Sequence, residues 1–167
     1  FKQNPEDIVL AKRIFSFMLQ GKCTDDPLWL ETGEAIYAKE KDFGLGKNIA
    51  LRYLSMENNT KAEFYINESL SIAPTRFDSS EMYYYKGAIE HKKHEDPKAR
   101  EYYLVSARLD PKRNEAYERV GDLYVSSFDE CARKQQQAED RAIYLAAYEY
   151  YAKAGNQKKM AMAKHAF

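Results

Sequence analysis

The sequence predicts an all-α protein built from short, antiparallel helical hairpins, and three observations carry that reading. Chain breakers are few, five Pro and seven Gly in 167 residues, and they leave segments of helical length between them. Those segments show almost none of the period-2 alternation that marks strands. The third observation is an internal period. Tyr83 and Tyr117 lie 34 residues apart, as do Gly87 and Gly121, while Ala50/Gly87, Ala62/Ala99, Ile66/Tyr103 and Pro74/Pro111 lie 37 apart. A 34-residue unit with three additional residues at Thr75-Arg76-Phe77 reconciles the two spacings.

Nine helices are predicted, near 5–20, 27–41, 45–57, 60–72, 78–93, 96–109, 113–132, 138–154 and 156–166. Asp26-Pro27 and Asp96-Pro97 each place a capping carboxylate before a Pro in the first helical turn, where the missing N–H costs nothing. Gly155 suits a left-handed helix end, and Pro74 and Pro111 fall just past two others. The connections are short, so consecutive helices must run antiparallel.

Composition narrows the function. Lys and Arg (26) balance Asp and Glu (26), which argues against a dedicated nucleic-acid binder, whose affinity rests on neutralising phosphates. Lys158, Lys159 and Lys164 form only a small basic face of the solubilising kind. No run of about 18 apolar residues exists to make a transmembrane segment. Cys23 and Cys131 are far apart and in no CxxC pairing, so neither a disulfide framework nor a thiolate metal site is indicated. Starting on Phe1 and stopping on Phe167, the chain is expected to be a fragment of a longer protein.

Within the best unit, 80–113, the marks are Tyr83, Gly87, Ala99, Tyr103 and Pro111, and the next opens with Tyr117, Val120, Gly121 and Tyr124. This resembles the tetratricopeptide repeat (TPR) family, a 34-residue helix–turn–helix with an aromatic, Gly, Tyr, Ala, aromatic, Pro signature. The closing stretch Tyr144–Phe167 resembles the C-terminal repeats of bacterial cell-envelope TPR proteins. The physics of these positions stands by itself: Gly87 and Gly121 let paired helices approach, and Tyr rings fill the volume left open. The resemblance implies a right-handed α-α superhelix of about four hairpins, a single domain over 1–167. Its units lie near 5–41, 43–76, 80–113 and 114–154, with a cap at 156–167. Trp29 and Gly33 keep the aromatic-x3-Gly spacing, but the following helix fits two registers, and helix 5–20 also fits the second helix of a preceding unit. In the last unit Ala147 comes 26 residues after Gly121 instead of 12. Fourteen extra residues make about two added turns on each helix. A long hairpin, 115–154, with a polar bend near Arg133–Gln137 is expected, a disordered loop being the alternative. Met160, Ala163 and Phe167 would form the packing stripe of the cap.

Chemical motifs are sparse. Glu90-His91-x2-His94-Glu95 puts two imidazoles on one helix face, but only His165 remains as a further histidine and a closed zinc site needs more ligands. The reading preferred over a metal site is the solvated end of the helix, where cationic side chains suit the negative pole. Gly44-x-Gly46 lacks the third Gly and preceding strand of a dinucleotide loop and reads as the opening of a helix after Phe43. Cys23 has no sequence-adjacent His to activate it. Asp25-Asp26 and Glu139-Asp140 sit at helix starts, where anions are favoured. No catalytic, cofactor-binding or metal-ligating residue is assigned, and a non-enzyme is expected.

In the TPR family the first helix of each unit lines a concave groove, through residues 2, 5, 9 and 12. Carried over, these are Glu81, Tyr84, Ala88 and His91, then Glu115, Glu118, Asp122 and Val125. The earlier units add Lys47, Leu51 and Leu54, and Leu30, Glu34 and Tyr37. The resemblance thus implies a protein-interaction or scaffold module that holds a peptide or protein segment, with Tyr37, Lys47, Leu51, Tyr84, His91, Glu118 and Asp122 as contact residues. The groove would be acidic toward its last unit, so that carboxylates select basic residues. An ordinary solvated face is the competing reading. Leu51, Ala88, Glu115 and Asp122 stand where a carboxylate clamp would need cations or amides. The alternatives are a structural spacer or a self-association element acting through hairpin 115–154, and last a metal-binding enzyme using His91 and His94. The same resemblance points to a bacterial cell envelope or periplasm, with cytoplasm as the alternative.

Overall fold

The computed structural model describes Asn4, residues 7–128, the backbone of 137–139, and residues 140–167. Among the described residues there are nine α-helices and no strand. In chain order they are α1 (Ile8–Gln20), α2 (Pro27–Lys39), α3 (Phe43–Ser55), α4 (Asn59–Ser71), α5 (Arg76–Lys92), α6 (Asp96–Leu109), α7 (Asn114–Ser126), α8 (Gln137–Lys153) and α9 (Gln157–Ala166).

Side chains start most of them. Asp7, Asp26, Asp42, Asn58, Thr75 and Asn156 each accept a hydrogen bond from a backbone N–H of the first turn, an arrangement that stabilises a helix by about 1 kcal/mol. Asp26 caps α2 as expected. Asp96 does not cap α6: it is the first helical residue, Glu95 takes the cap position, and no side chain bonds there. The Asp96 carboxylate instead lies 2.7 Å from His91 Nδ1. Gly155 ends α8 at φ +70°, where an L side chain would be strained.

The chain divides into two compact units, Phe1–Pro74 and Thr75–Phe167. In the first unit α1 packs on α2, α2 on α3 and α3 on α4. Phe15 stacks on Trp29 with centroids 5.1 Å apart, its edge 3.2 Å from where a Cβ on Gly33 would sit. A Cβ on Gly46 would lie 2.7 Å from the Tyr37 ring and 2.5 Å from Ser69 Oγ, so α3 makes this approach only with Gly there.

The second unit repeats one device. A Cβ on Gly87 would meet the Tyr103 ring at 2.7 Å, and one on Gly121 would meet the Tyr151 ring at 2.5 Å. Ala99 and Ala147, four residues before those rings, are fully buried. The ring follows its Gly by 16 residues in α5/α6 and by 30 in α7/α8, so the 14-residue surplus lies between two conserved-geometry packing points. In α5/α6 a buried pair adds direction: Ser80 Oγ donates to the Ser106 carbonyl at 2.8 Å and Ser106 Oγ returns a bond to the Ser80 carbonyl at 2.7 Å.

How the surplus divides between the two helices falls largely on 129–136, which lie outside the described residues. α7 closes at Ser126, whose following residue Ser127 bonds back to Leu123 and Val125, so the helix expected over 113–132 is interrupted. α8 is 17 residues against 14 for α6. Phe128 stacks on Tyr144 at 5.0 Å. Cys131 and the bend through 133–136 lie outside the described residues. α9 packs on α8 and buries Ala163, with Met160 half-buried beside it; Phe167, expected in that stripe, is 48% exposed because α9 ends before it.

Candidate functional site

α7 is amphipathic in the ordinary way. Ala116, Val120, Gly121 and Leu123 are buried, which leaves Glu118, Asp122 and Val125 along another face at i, i+4 and i+7. α8 brings Tyr151 under that face and α9 brings Lys159 over it. Lys159 Nζ lies 2.6 Å from Asp122 Oδ1, 2.9 Å from Asp122 Oδ2 and 2.7 Å from Glu118 Oε1. Its ammonium also sits 5.5 Å from the centroid of the Tyr151 ring, within cation–π range. Tyr151 Oη donates to Asp122 Oδ1 at 3.0 Å, and Asn156 Nδ2 donates to Glu118 Oε2 at 3.1 Å.

Electrostatics follow the geometry. The hydrogen bonds from Lys159 and then Asn156 hold Glu118 below the ordinary carboxylate range. Burial works against the charge on Lys159, yet the hydrogen bonds to Asp122 and Glu118 outweigh it and raise its pKa. Burial, with Asp122 as hydrogen-bond acceptor, drives the Tyr151 phenol upward, so it stays a donor. The result is a cage for an ammonium ion, made of two carboxylates and an aromatic face.

Arg119 extends the polar run: its Nε donates to Tyr84 Oη on α5 at 3.3 Å, and its Nη1 lies 3.8 Å from Asp122 Oδ2. Beside the cage opens a groove of about 400 Å³ walled mainly by Val125, Tyr144, Tyr151, Met162, Ala163 and Ala166. Val125 and Met162 are 37% and 62% exposed. Such a volume and an apolar wall with few polar anchors are those of a ligand cleft.

Three of the residues carried over from the repeat pattern therefore meet here, Tyr84, Glu118 and Asp122. The acidic surface expected from Glu118 and Asp122 is offset, because Lys159 pairs with both carboxylates and Arg119 adds a second positive charge beside Asp122. His91 lies at the other end of α5, exposed, paired with Asp96. His94 has left the helix at φ +60°, and among the described residues no three His, Cys, Asp or Glu converge as metal ligands. Lys47, Leu51 and Tyr37 belong to the first unit. Lys47 lies 5.8 Å from the Phe43 ring, and Leu51 is half-buried. Tyr37 is 3% exposed, held edge-on to Tyr65 at 5.5 Å and against Gly46, so it is a core residue and not a contact residue. Lys159, expected on a solubilising basic face, is instead paired with carboxylates 37 and 41 positions earlier, which no repeat spacing records, and Tyr151 and Met162 were not expected at a site.

The first unit holds a related cluster. Glu34 Oε1 on α2 accepts from Tyr53 Oη at 2.6 Å, Tyr65 Oη at 3.0 Å and Lys61 Nζ at 3.3 Å. Tyr53 and Tyr65 stack 5.8 Å apart, and Lys61 lies 4.9 Å over Tyr53. Burial and then Glu34 raise both phenols' pKa values.

Stacked helical pairs with a glycine under a tyrosine define a TPR-like helical solenoid, and the solved structures agree. Two crystal structures of MamA, a TPR-containing protein, superpose on this chain with a TM-score of 0.65 each. One covers 99% of this chain and 85% of its own at 14% identity; the other covers 96% and 79% at 15%. At that identity the likeness shows the fold. No protein-family profile matches the chain, and no curated protein matches its sequence. Among the described residues no helix is long and apolar enough to cross a membrane.

Proposed function

We propose that the chain is a non-enzymatic protein-interaction module, and that its second unit takes a peptide or protein segment into the groove formed by α7, α8 and α9. The observation that carries this is the pairing of a satisfied polar floor with exposed Val125 and Met162 at the rim. Isolated surface apolar side chains need no explanation, but two that wall one cleft form a contact patch. Helices fixed by core packing hold the patch in place before a ligand arrives, so little ordering is charged against binding.

The test is a random peptide library selected on the full chain. Selected peptides should bind the parent and bind Val125→Asp/Met162→Asp at least about tenfold more weakly, a loss of about 1.4 kcal/mol. Met162→Asp alone, 62% exposed, should unfold within about 0.5 kcal/mol of the parent, while Val125→Asp, 37% exposed, should cost more, so the single Met162 variant is the control for folding. Selected peptides that bind parent and double variant equally would reject the groove. Tyr84→Ala with Asp122→Lys, which the repeat pattern alone would suggest as a surface pair, is a poor probe. Tyr84 packs at 5.5 Å on Tyr103, and Asp122 serves Tyr151 and Lys159, so that pair would lower stability as well.

A further inference from the structure

A second recess of the second unit, of about 270 Å³, opens among α6, α7 and α8 and shares no lining residue with the groove above. Pro97, Leu123, Tyr124 and Ile143 give it apolar walls, and Arg100 lines it as a cation. From Arg100 a ladder of four side chains runs across the three helices. The Arg100 guanidinium lies 5.7 Å from the centroid of the Tyr124 ring, and its Nη1 donates to Tyr124 Oη at 3.2 Å. Tyr124 stacks on Tyr150 with centroids 5.6 Å apart and planes 17° from parallel. Lys153 Nζ then lies 4.8 Å from the centroid of Tyr150. Both rings also pack on the buried cluster of Ala99, Tyr103 and Val120, so the core holds the ladder in place.

The charges of this surface do not cancel. Asp96, the carboxylate that lines the recess, is engaged by His91 at 2.7 Å, and Ser127 Oγ donates to the Tyr124 carbonyl at 3.0 Å. Among the described residues Arg100 and Lys153 have no carboxylate partner, Glu149 four positions before Lys153 included. Arg113, Arg119 and Lys159 of the same unit each have one. A guanidinium carries five N–H donors, and Tyr124 takes one of them. The edges of aromatic rings carry the positive pole of their quadrupole, so the ladder favours an anion between its two cations as well. We propose that Arg100, Tyr124, Tyr150 and Lys153 form a docking site for an acidic peptide segment in extended conformation. One carboxylate pairs with Arg100, an adjacent apolar side chain enters the recess, and a second carboxylate reaches Lys153. The three steps of the ladder correspond to up to about five residues of extended chain at ~3.3 Å each. Single-stranded nucleic acid fits less well, because it needs open ring faces, and these are taken up by each other and by the two cations. None of the four residues stands at a groove position carried over from the repeat, so the site is independent of the groove reading.

The probe is the heptapeptide GELAAEG, acetylated and amidated, with GQLAAQG as its uncharged analogue. Both are titrated calorimetrically into the full chain and into full-length Arg100→Gln/Lys153→Gln. The Glu peptide should bind the parent, and should bind the double variant at least about tenfold more weakly. The Gln peptide should bind the parent at least about tenfold more weakly than the Glu peptide, and only the Glu peptide should lose affinity as salt rises. Both substituted side chains are exposed, so the double variant should melt within about 2 °C of the parent. Lys153→Arg, which keeps a cation over Tyr150, should bind the Glu peptide as the parent does. Equal binding of the two peptides, equal binding by parent and double variant, or no binding of the Glu peptide at millimolar concentration would overturn the proposal. So would an oligothymidylate that binds the parent more tightly than the Glu peptide and is lost in the double variant, since the occupant would then be a nucleic acid.

Discussion

Glu34 in the first unit and Asp122 in the second perform the same local chemistry. Each carboxylate accepts from a buried tyrosine and from a lysine that lies over an aromatic ring. The difference is where the lysine is rooted. Lys61 belongs to α4, which buries Ala62, Tyr65, Ile66 and Ser69 and is therefore fixed by its own core. Lys159 belongs to α9, which buries Ala163 and little else. An ion pair anchored in a core helix orients the packing around it. The same pair on a lightly buried helix decides whether that helix stays. One cluster is structural and the other is a latch.

This contrast can be broken most forcefully at the tyrosines. Tyr65→Ala and Tyr151→Ala should each cost about 3–5 kcal/mol, as large aromatic deletions do, because both rings are core in both units. A difference of more than about 2 kcal/mol between them in urea denaturation would show that the clusters are not comparable. Next come the carboxylates. Glu34→Ala leaves three donors without their acceptor and should cost about 2–3 kcal/mol, visible as a lower denaturation midpoint at unchanged slope. The lysines then separate the two sites. Lys61→Gln should lower global stability by about 0.5 kcal/mol, since that side chain is half exposed. Lys159→Gln should leave the global transition within about 2 °C of the parent and abolish slow amide exchange in α9 alone.

The smallest effect is on pH. Glu118 has a lowered pKa, so its contribution to α9 docking is present above its ordinary value of 4.5 and is lost as pH falls through the lowered value. Lys159 has a raised pKa, so its contribution is present below 10.5 and is lost as pH rises through the raised value. Exchange of α9 amides, corrected for intrinsic rate, should be slowest between those limits. A protection that ignores both would mean that apolar packing alone holds the helix.

Much of the fold could be read from the chain because it is written in volumes at fixed spacing. Gly87 with Tyr103 and Gly121 with Tyr151 mark where helices touch, and the 14-residue offset is visible in sequence as well as in space. Helix starts were legible at Asp26 and misplaced at Asp96, where the helix begins one residue earlier and leaves Glu95 in the cap position. The site was half legible. Glu118 and Asp122 follow from the repeat register, whereas Lys159 lies past the last repeat, where no period constrains it. Tyr37 misled because a groove position was assigned where the register is ambiguous; Gly46, three residues into the next helix, is the signal that its ring is swallowed.

Native-state hydrogen exchange of the unmodified chain tests the latch most directly, by comparing amides of α9 with those of α4. The account expects α9 amides to open locally, with a free energy well below that of global unfolding and insensitive to low denaturant, while α4 amides exchange only by global unfolding. Equal protection of the two helices, both tracking the global transition, would contradict it.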